Sequence, residues 1–340
     1  MMSGRVKSAA CAASALTLTL FLSAWAASTI RGAAHFRAVG SQSEDHTGLL
    51  SAYARTSTQA TRGTTVPSPV TFRESGSRGL LVRTWINGAG PFTFAVDTGA
   101  GATIISPRVA GAARVQVETG GRGIEVGGLS GASVGGSQKA FPRDIALGSR
   151  DNILPARGLA IVASGLPEDV DGILDPSEAF YPLGFVIDFP NGEISFFDPH
   201  AQPLRTRDAP QGGAVVPWLT DGRSRRPFVM LGEGRRALLD TGSSFGLAVD
   251  QSAARSLGIL SNGGQQRPGS HDIAGGEITS RRVRAATVSV GPLVLRGVPT
   301  DFIERAEKGA PVLLGRDALR PFRITFDPAS RLIMFDPREG

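Results

Sequence analysis

The sequence predicts a mainly β protein with short helices. It is built as two homologous lobes. Three observations carry that prediction. First, the 340 residues include 44 Gly and only 6% aromatics, a balance that favours strands and tight turns over long helices. Second, from Pro69 onward short apolar runs alternate with turn signals. Third, the chain repeats itself. Val70–Gly99 (VTFRESGSRGLLVRTWINGAGPFTFAVDTG) aligns with Val215–Gly242 (VVPWLTDGRSRRPFVMLGEGRRALLDTG) across a two-residue deletion.

The elements follow in chain order. Arg5 and Lys7 precede an uncharged stretch from Ser8 to Ile30, and Ala24-Trp25-Ala26 offers a small-x-small cleavage pattern. Residues 1–27 are read as a signal peptide. An uncleaved anchor through residues 8–30 stays open, because that stretch is about long enough to span a bilayer. Either reading puts the body of the protein outside the cytoplasm, in the periplasm, secreted or membrane-anchored. Residues 28–68 are polar and hold neither strand nor helix period, so they read as a flexible stalk, with a pro-segment as the second reading.

Residues 69–199 make the first lobe. Val70–Phe72, Leu80–Ile86 and Phe92–Val96 read as strands, the last two joined at Asn87-Gly88, a strong hairpin signal. Ser106-Pro107 opens a short helix. Glycine-rich strands run from Ile124 to Gly136, and Phe185–Pro199 closes the lobe as a hairpin. A Pro- and Arg-rich linker, 200–213, leads to the second lobe, 214–340. There Asp250 caps a helix over Gln251–Leu257, and Phe322–Pro337 repeats the closing hairpin.

Charge and composition exclude several functions. Net charge is +6, but of the 36 basic residues only Lys7, Lys139 and Lys308 are lysines. The arginines are scattered, with no basic block interleaved with aromatics, so no nucleic-acid partner is expected. The single cysteine, Cys11, lies in the leader, which leaves no disulfide framework. The four histidines are dispersed without metal-ligand spacing, so no metal and no cofactor are expected.

The candidate site lies in the repeat. Phe94–Ser106 reads FAVDTGAGATIIS, an apolar strand that delivers Asp97 into a turn of small residues. Burying a carboxylate there is costly unless something compensates it. A single such Asp reads as a turn or cap residue. Ala237–Val249, ALLDTGSSFGLAV, sets Asp240 in the same frame. The frames extend further, for 78 residues separate Asp97 from Asp175 in Ile173-Leu174-Asp175 and 75 separate Asp240 from Gly315 in Leu313-Leu314-Gly315.

Two Asp-Thr-Gly triplets, each followed by an apolar-apolar-Gly element and a closing hairpin, resemble the aspartic peptidases. AVDTGAGATII and Leu313–Asp317 are similar to the two motifs of the retropepsin-like members, here duplicated in one chain over about residues 70–337. The resemblance implies an endopeptidase in which Asp97 and Asp240 share one proton and activate a water between them. It implies that Thr98 and Thr241 bond across the lobe boundary, and that Gly99 and Gly242 let backbone N–H groups approach the carboxylates. It implies lobes related by pseudo-twofold symmetry with the active-site cleft between them, protein or peptide substrates, and a monomer that assembles its own site. A two-lobed protein that binds peptides without cutting them is the alternative.

The chain departs from that pattern in three places. Ala100 stands where the second lobe has Ser243, whose hydroxyl could support its carboxylate. Asp175 replaces the glycine of the first apolar-apolar-Gly element, where chain passage behind the first turn is expected to alter. Neither tyrosine, Tyr53 or Tyr181, falls in the expected flaps, near Ile124–Gly131 and His271–Glu277. Gly131-Ala132-Ser133-Val134-Gly135 matches the G-x-S-x-G pattern of serine hydrolases, but it lacks the strand-to-helix setting that a nucleophile elbow needs.

Overall fold

The computed structural model describes residues 65–338, apart from 119–123, 131, 156–158, 223, 233, 273–275, 305 and 307–308. The leader, nearly all of the stalk, Cys11 and Tyr53 lie outside the described residues. The described residues belong to one compact unit.

The architecture is mainly β, with four short helices among the described residues. Each lobe is built on one sheet. In the first, Gly79–Ile86 and Ala89–Val96 form a hairpin, turning at Asn87 and Gly88 with φ of 50° and 74°. Both central residues therefore sit in the left-handed region that a tight hairpin turn requires. Gly172–Leu174 lies parallel to Ala89–Val96, with Leu174 opposite Val96. In the second lobe Phe228–Leu231 and Arg235–Asp240 form the equivalent hairpin. Val312–Gly315 lies parallel to the second of these strands, with Leu314 opposite Leu239. The two lobes thus repeat one register as well as one sequence.

The helices sit where local chemistry starts them. Ser106 Oγ accepts the Val109 N–H at 3.2 Å and caps Pro107–Ala112, which has proline in its first turn. Asp250 caps Gln251–Ser256 by accepting the Ala253 N–H at 2.7 Å. Pro176–Ala179 and Arg316–Leu319 are single turns that follow Leu174 and Val312–Gly315 at matching places in the two lobes.

The closing hairpins do not stay within their lobes. Gly184–Asp188 pairs with Phe322–Asp327, with Ile187 opposite Ile324. The result is a six-stranded sheet drawing three strands from each half of the repeat. Phe185 of the first half stacks on Phe326 of the second at 4.5 Å between centroids, and Trp218 meets both rings edge-on. The main apolar core is accordingly continuous from Phe94 and Leu174 through Phe185 to Leu239 and Leu314. Leu204, in the segment between the repeats, is buried, and its N–H bonds Asp327 Oδ2 at 2.8 Å. The second lobe also contains two 11-residue strands, Ser280–Val290 and Leu293–Ile303.

Candidate active site

Asp97 and Asp240 stand at the ends of equivalent strands. Phe94 and Val96 are fully buried, as are Ala237 and Leu239, so each strand is anchored by its apolar side chains just before it releases its carboxylate. The Asp97 N–H bonds Leu174 O at 3.0 Å, and Asp240 pairs with Gly315.

Beneath the carboxylates the two turns lock together. Thr98 N–H donates to Thr241 Oγ1 and Thr241 N–H donates to Thr98 Oγ1, both at 3.1 Å. Each hydroxyl then donates onward into the other lobe, Thr98 Oγ1 to Leu239 O at 2.6 Å and Thr241 Oγ1 to Val96 O at 2.9 Å. Both threonines are fully buried. Both hydroxyls and both backbone N–H groups of the pair therefore have partners, as burial demands.

The glycines of the triplets are fixed by space. A Cβ on Gly99 would lie 2.8 Å from Asp240 Cγ, and one on Gly242 would lie 2.5 Å from Asp97 Cγ. Each glycine therefore faces the carboxyl of the opposite lobe. Gly99 N–H donates to Asp97 Oδ1 at 2.7 Å, while Ser243 N–H donates to Asp240 Oδ1 at 3.0 Å. Ser243 supports its carboxylate with its backbone, and its Oγ accepts the Phe245 N–H. Ala100 offers no hydroxyl, and its N–H points to Asp97 O at 3.4 Å.

Burial raises the pKa of both carboxyls above the ordinary aspartate value. For Asp240 the negative charge of Asp97 adds to that rise. For Asp97 the N–H groups of Gly99 and Gly242 oppose it. Two carboxyls in contact, both reluctant to ionise, can hold one proton between them and titrate as a pair.

A residue that the sequence did not single out sits directly behind the second turn. Arg316 is fully buried. Its Nη1 donates to Thr241 O at 2.9 Å and Gly242 O at 2.8 Å. Its Nη2 donates to Ser75 O at 3.1 Å and Gly76 O at 2.8 Å, and its Nε to Glu74 Oε1 at 3.2 Å. One guanidinium thus ties the second turn to the first lobe and also opposes the pKa rise of both aspartates. The available signal was its position next to Gly315, with Pro176 at the matching place beside Asp175.

Asp175 does not reroute the chain behind the first turn, since the strand before it keeps the register of its counterpart. It becomes a helix cap, accepting the Ser177 N–H at 2.9 Å. Of the two glycine-rich hairpins, Ile124–Gly127 pairs with Ser133–Phe141, and Ser270–His271 pairs with Glu277–Ile278. They meet where Asp272 accepts the Ser130 N–H at 2.7 Å and the Gly276 N–H at 3.0 Å. Ser133 lies within a strand that continues to Phe141, so the G-x-S-x-G match has no helix behind it. Tyr181 stacks on Arg225 at the surface, away from both hairpins in sequence.

A duplicated β lobe that presents an Asp-Thr-Gly turn to its own copy is the arrangement of an aspartic peptidase. The sequence matches the family described as Aspartyl protease over residues 82–174 and 228–318, more than half of its length, and the chain belongs to that family. The fold is similar to the crystal structure of the aspartic proteinase from Irpex lacteus. The TM-score is 0.52 at 12% identity, over 80% of this chain and 97% of that one. At that identity the likeness is one of fold. No curated protein sequence matches the chain.

Proposed function

We propose that the protein is an aspartic endopeptidase whose catalytic pair is Asp97 and Asp240, one from each lobe. The observation that carries this reading is the reciprocal approach of the two turns. Gly99 faces the carboxyl of Asp240 and Gly242 faces that of Asp97, over a threonine pair that fixes their spacing.

In the proposed reaction the pair holds one proton. The ionised carboxyl takes a proton from a water lying between the two aspartates, and that water attacks the carbonyl carbon of the scissile peptide. The protonated carboxyl donates its hydrogen to the carbonyl oxygen, giving a neutral tetrahedral diol. On collapse the carboxyl that took the water's proton gives it to the leaving nitrogen as the C–N bond breaks, and the other carboxylate takes a proton from the diol, which restores the singly protonated pair. No covalent bond to the protein forms at any stage. Gly99, Gly242 and Ser243 provide backbone N–H groups that keep the charged form of the pair oriented, and Thr98 and Thr241 hold the lobes in register.

Peptides and proteins are the proposed substrates. A single chain carrying both turns needs no second copy, so the working form is proposed to be a monomer. Its proposed location is outside the cytoplasm, on the strength of residues 1–30. A second reading, in which the cleft binds peptides without cutting them, is favoured by one observation, the extra carboxyl of Asp175 behind the first turn. Incubating the full chain with a mixed peptide library between pH 3 and 8 distinguishes the two. Cleavage that vanishes in Asp97→Asn and in Asp240→Asn supports the peptidase. Binding without cleavage across that range supports the alternative.

A further inference from the structure

Asp175 has the same register beside Asp97 that Gly315 has beside Asp240. Leu174 pairs with Val96 as Leu314 pairs with Leu239. Only the second lobe keeps the glycine. There a side chain at 315 would run into Phe245 O, and its Cβ would stand 3.0 Å from Ser243 O. In the first lobe the position admits a carboxyl that is fully buried.

The surroundings of that carboxyl are uneven. Asp175 Oδ1 accepts the Ser177 N–H, and the Asp175 N–H approaches Thr103 Oγ1 at 3.4 Å. Asp175 Oδ2 is buried without a hydrogen-bond partner among the described residues. The charges it feels from the elements packed against it are negative. Glu178 lies on its own helix, where it pairs with Arg225, and Asp97 lies on the neighbouring turn. A buried carboxylate in that position would have only the N–H and hydroxyl of Ser177 in its favour and would be repelled from two sides, so the neutral acid is the stable form.

We propose that Asp175 is a positioning residue of this site: a neutral carboxyl that caps the helix behind the first turn and restricts that lobe to a single negative charge, the one on Asp97. Its burial supports this, holding it protonated well above the ordinary carboxylate range. The consequence is an asymmetric pair. Asp97 has a titrating neighbour and Asp240 has Gly315. Asp175 touches no substrate in this scheme and acts only through Asp97. The inference rests on the reading of Asp97 as a working carboxyl.

The test follows the carboxyl carbons of the full chain by NMR, with aspartate labelled at Cγ and Asp175→Asn used to identify the Asp175 signal. Asparagine also caps helices, so that variant keeps the local turn. In the parent, Asp175 is expected to stay protonated through neutral pH. In Asp97→Asn its midpoint is expected to fall by about half a pH unit or more, because one repelling charge is gone. In the pH–rate profile, Asp175→Asn is expected to leave the acid limb in place and to remove one ionisation from the alkaline limb. Asp175→Gly, which copies the second lobe, should do the same. A midpoint near the ordinary carboxylate value, or one that Asp97→Asn does not move, overturns the proposal. Cleavage that requires Asp97 and Asp240 but shows no such coupling overturns this inference alone. Coupling in a chain that cleaves nothing supports the charge pairing and overturns the peptidase reading alone.

Discussion

Thr98 and Thr241 each accept the other's backbone N–H at 3.1 Å and each donate a hydroxyl hydrogen into the opposite lobe. The exchange is reciprocal, so the two turns cannot shift separately without breaking bonds on both sides. All of it is sheltered from water. Replacing either threonine by valine keeps the volume but strands a buried N–H and a buried carbonyl. Each variant is expected to lose about 2–4 kcal/mol of unfolding free energy in urea. The double valine variant is expected to lose less than the sum of the two, because either substitution alone already lets the turns part and weakens the bonds of the remaining hydroxyl. Full additivity would show that the pair does not act as a unit.

Gly99 and Gly242 test placement instead of stability. A methyl group at either position collides with the aspartate of the other lobe, which must move aside. Gly242→Ala is expected to lower kcat by about 100-fold or more, since small misplacement of reacting groups costs that much. Its circular dichroism spectrum is expected to remain that of the parent. A variant with parental kcat would mean that the carboxyls are not held where the proposed reaction needs them.

Arg316 makes a different kind of contribution. It is a buried cation whose five donated bonds join Thr241 and Gly242 to Ser75, Gly76 and Glu74. Arg316→Met removes the charge and leaves four backbone carbonyls without that donor. It is expected to cost about 2–4 kcal/mol, because buried carbonyls lose a charged donor while Glu74 keeps its pair with Arg320. Arg316→Lys keeps the charge but not the planar fork, and is expected to recover only part of that loss. Equal melting temperatures for the lysine variant and the parent would contradict the role of the fork.

Asp175 predicts how stability depends on pH. Its carboxyl is pushed up to about 8 in the folded chain, mainly by burial, against an ordinary value of 3.8. Between those values the folded chain binds the proton that the unfolded chain releases. Stability from this group is therefore complete below the unfolded value and is lost as pH rises toward the folded one. Asp175→Asn removes the dependence. The variant is expected to match the parent near pH 4 and to gain on it steadily up to pH 8, by an amount bounded at roughly 6 kcal/mol. Parallel stability curves for the two proteins across that range would show that Asp175 is not protonated in the fold.

Much of this was legible in the sequence because the chain contains its own comparison. Asp97 alone is a turn residue, and Asp240 in the same frame makes it half of a pair. The local starts were also readable, since Ser106, Asp250 and Asn87-Gly88 act through neighbouring backbone. What stayed hidden depends on distant pairing. Nothing near Phe185 or Phe326 announces that the closing hairpins of both halves join into one sheet. Arg316 follows Gly315 in a chain rich in arginine, and its role shows only once it is buried against the carbonyls of Thr241, Gly242, Ser75 and Gly76. Asp175 was visible as an oddity, but its cap and its unpartnered oxygen appear only once Ser177 and Thr103 are placed around it.

One carboxyl from each lobe is proposed to perform the reaction. The most direct test is the turnover of a mixed peptide library by the full chain, compared with Asp97→Asn and Asp240→Asn over pH 3–8. A bell-shaped profile is expected for the parent, with a fall in kcat/KM of about 100- to 10,000-fold in each variant, the range expected for loss of a general acid or base. Turnover that survives either substitution within tenfold would contradict it.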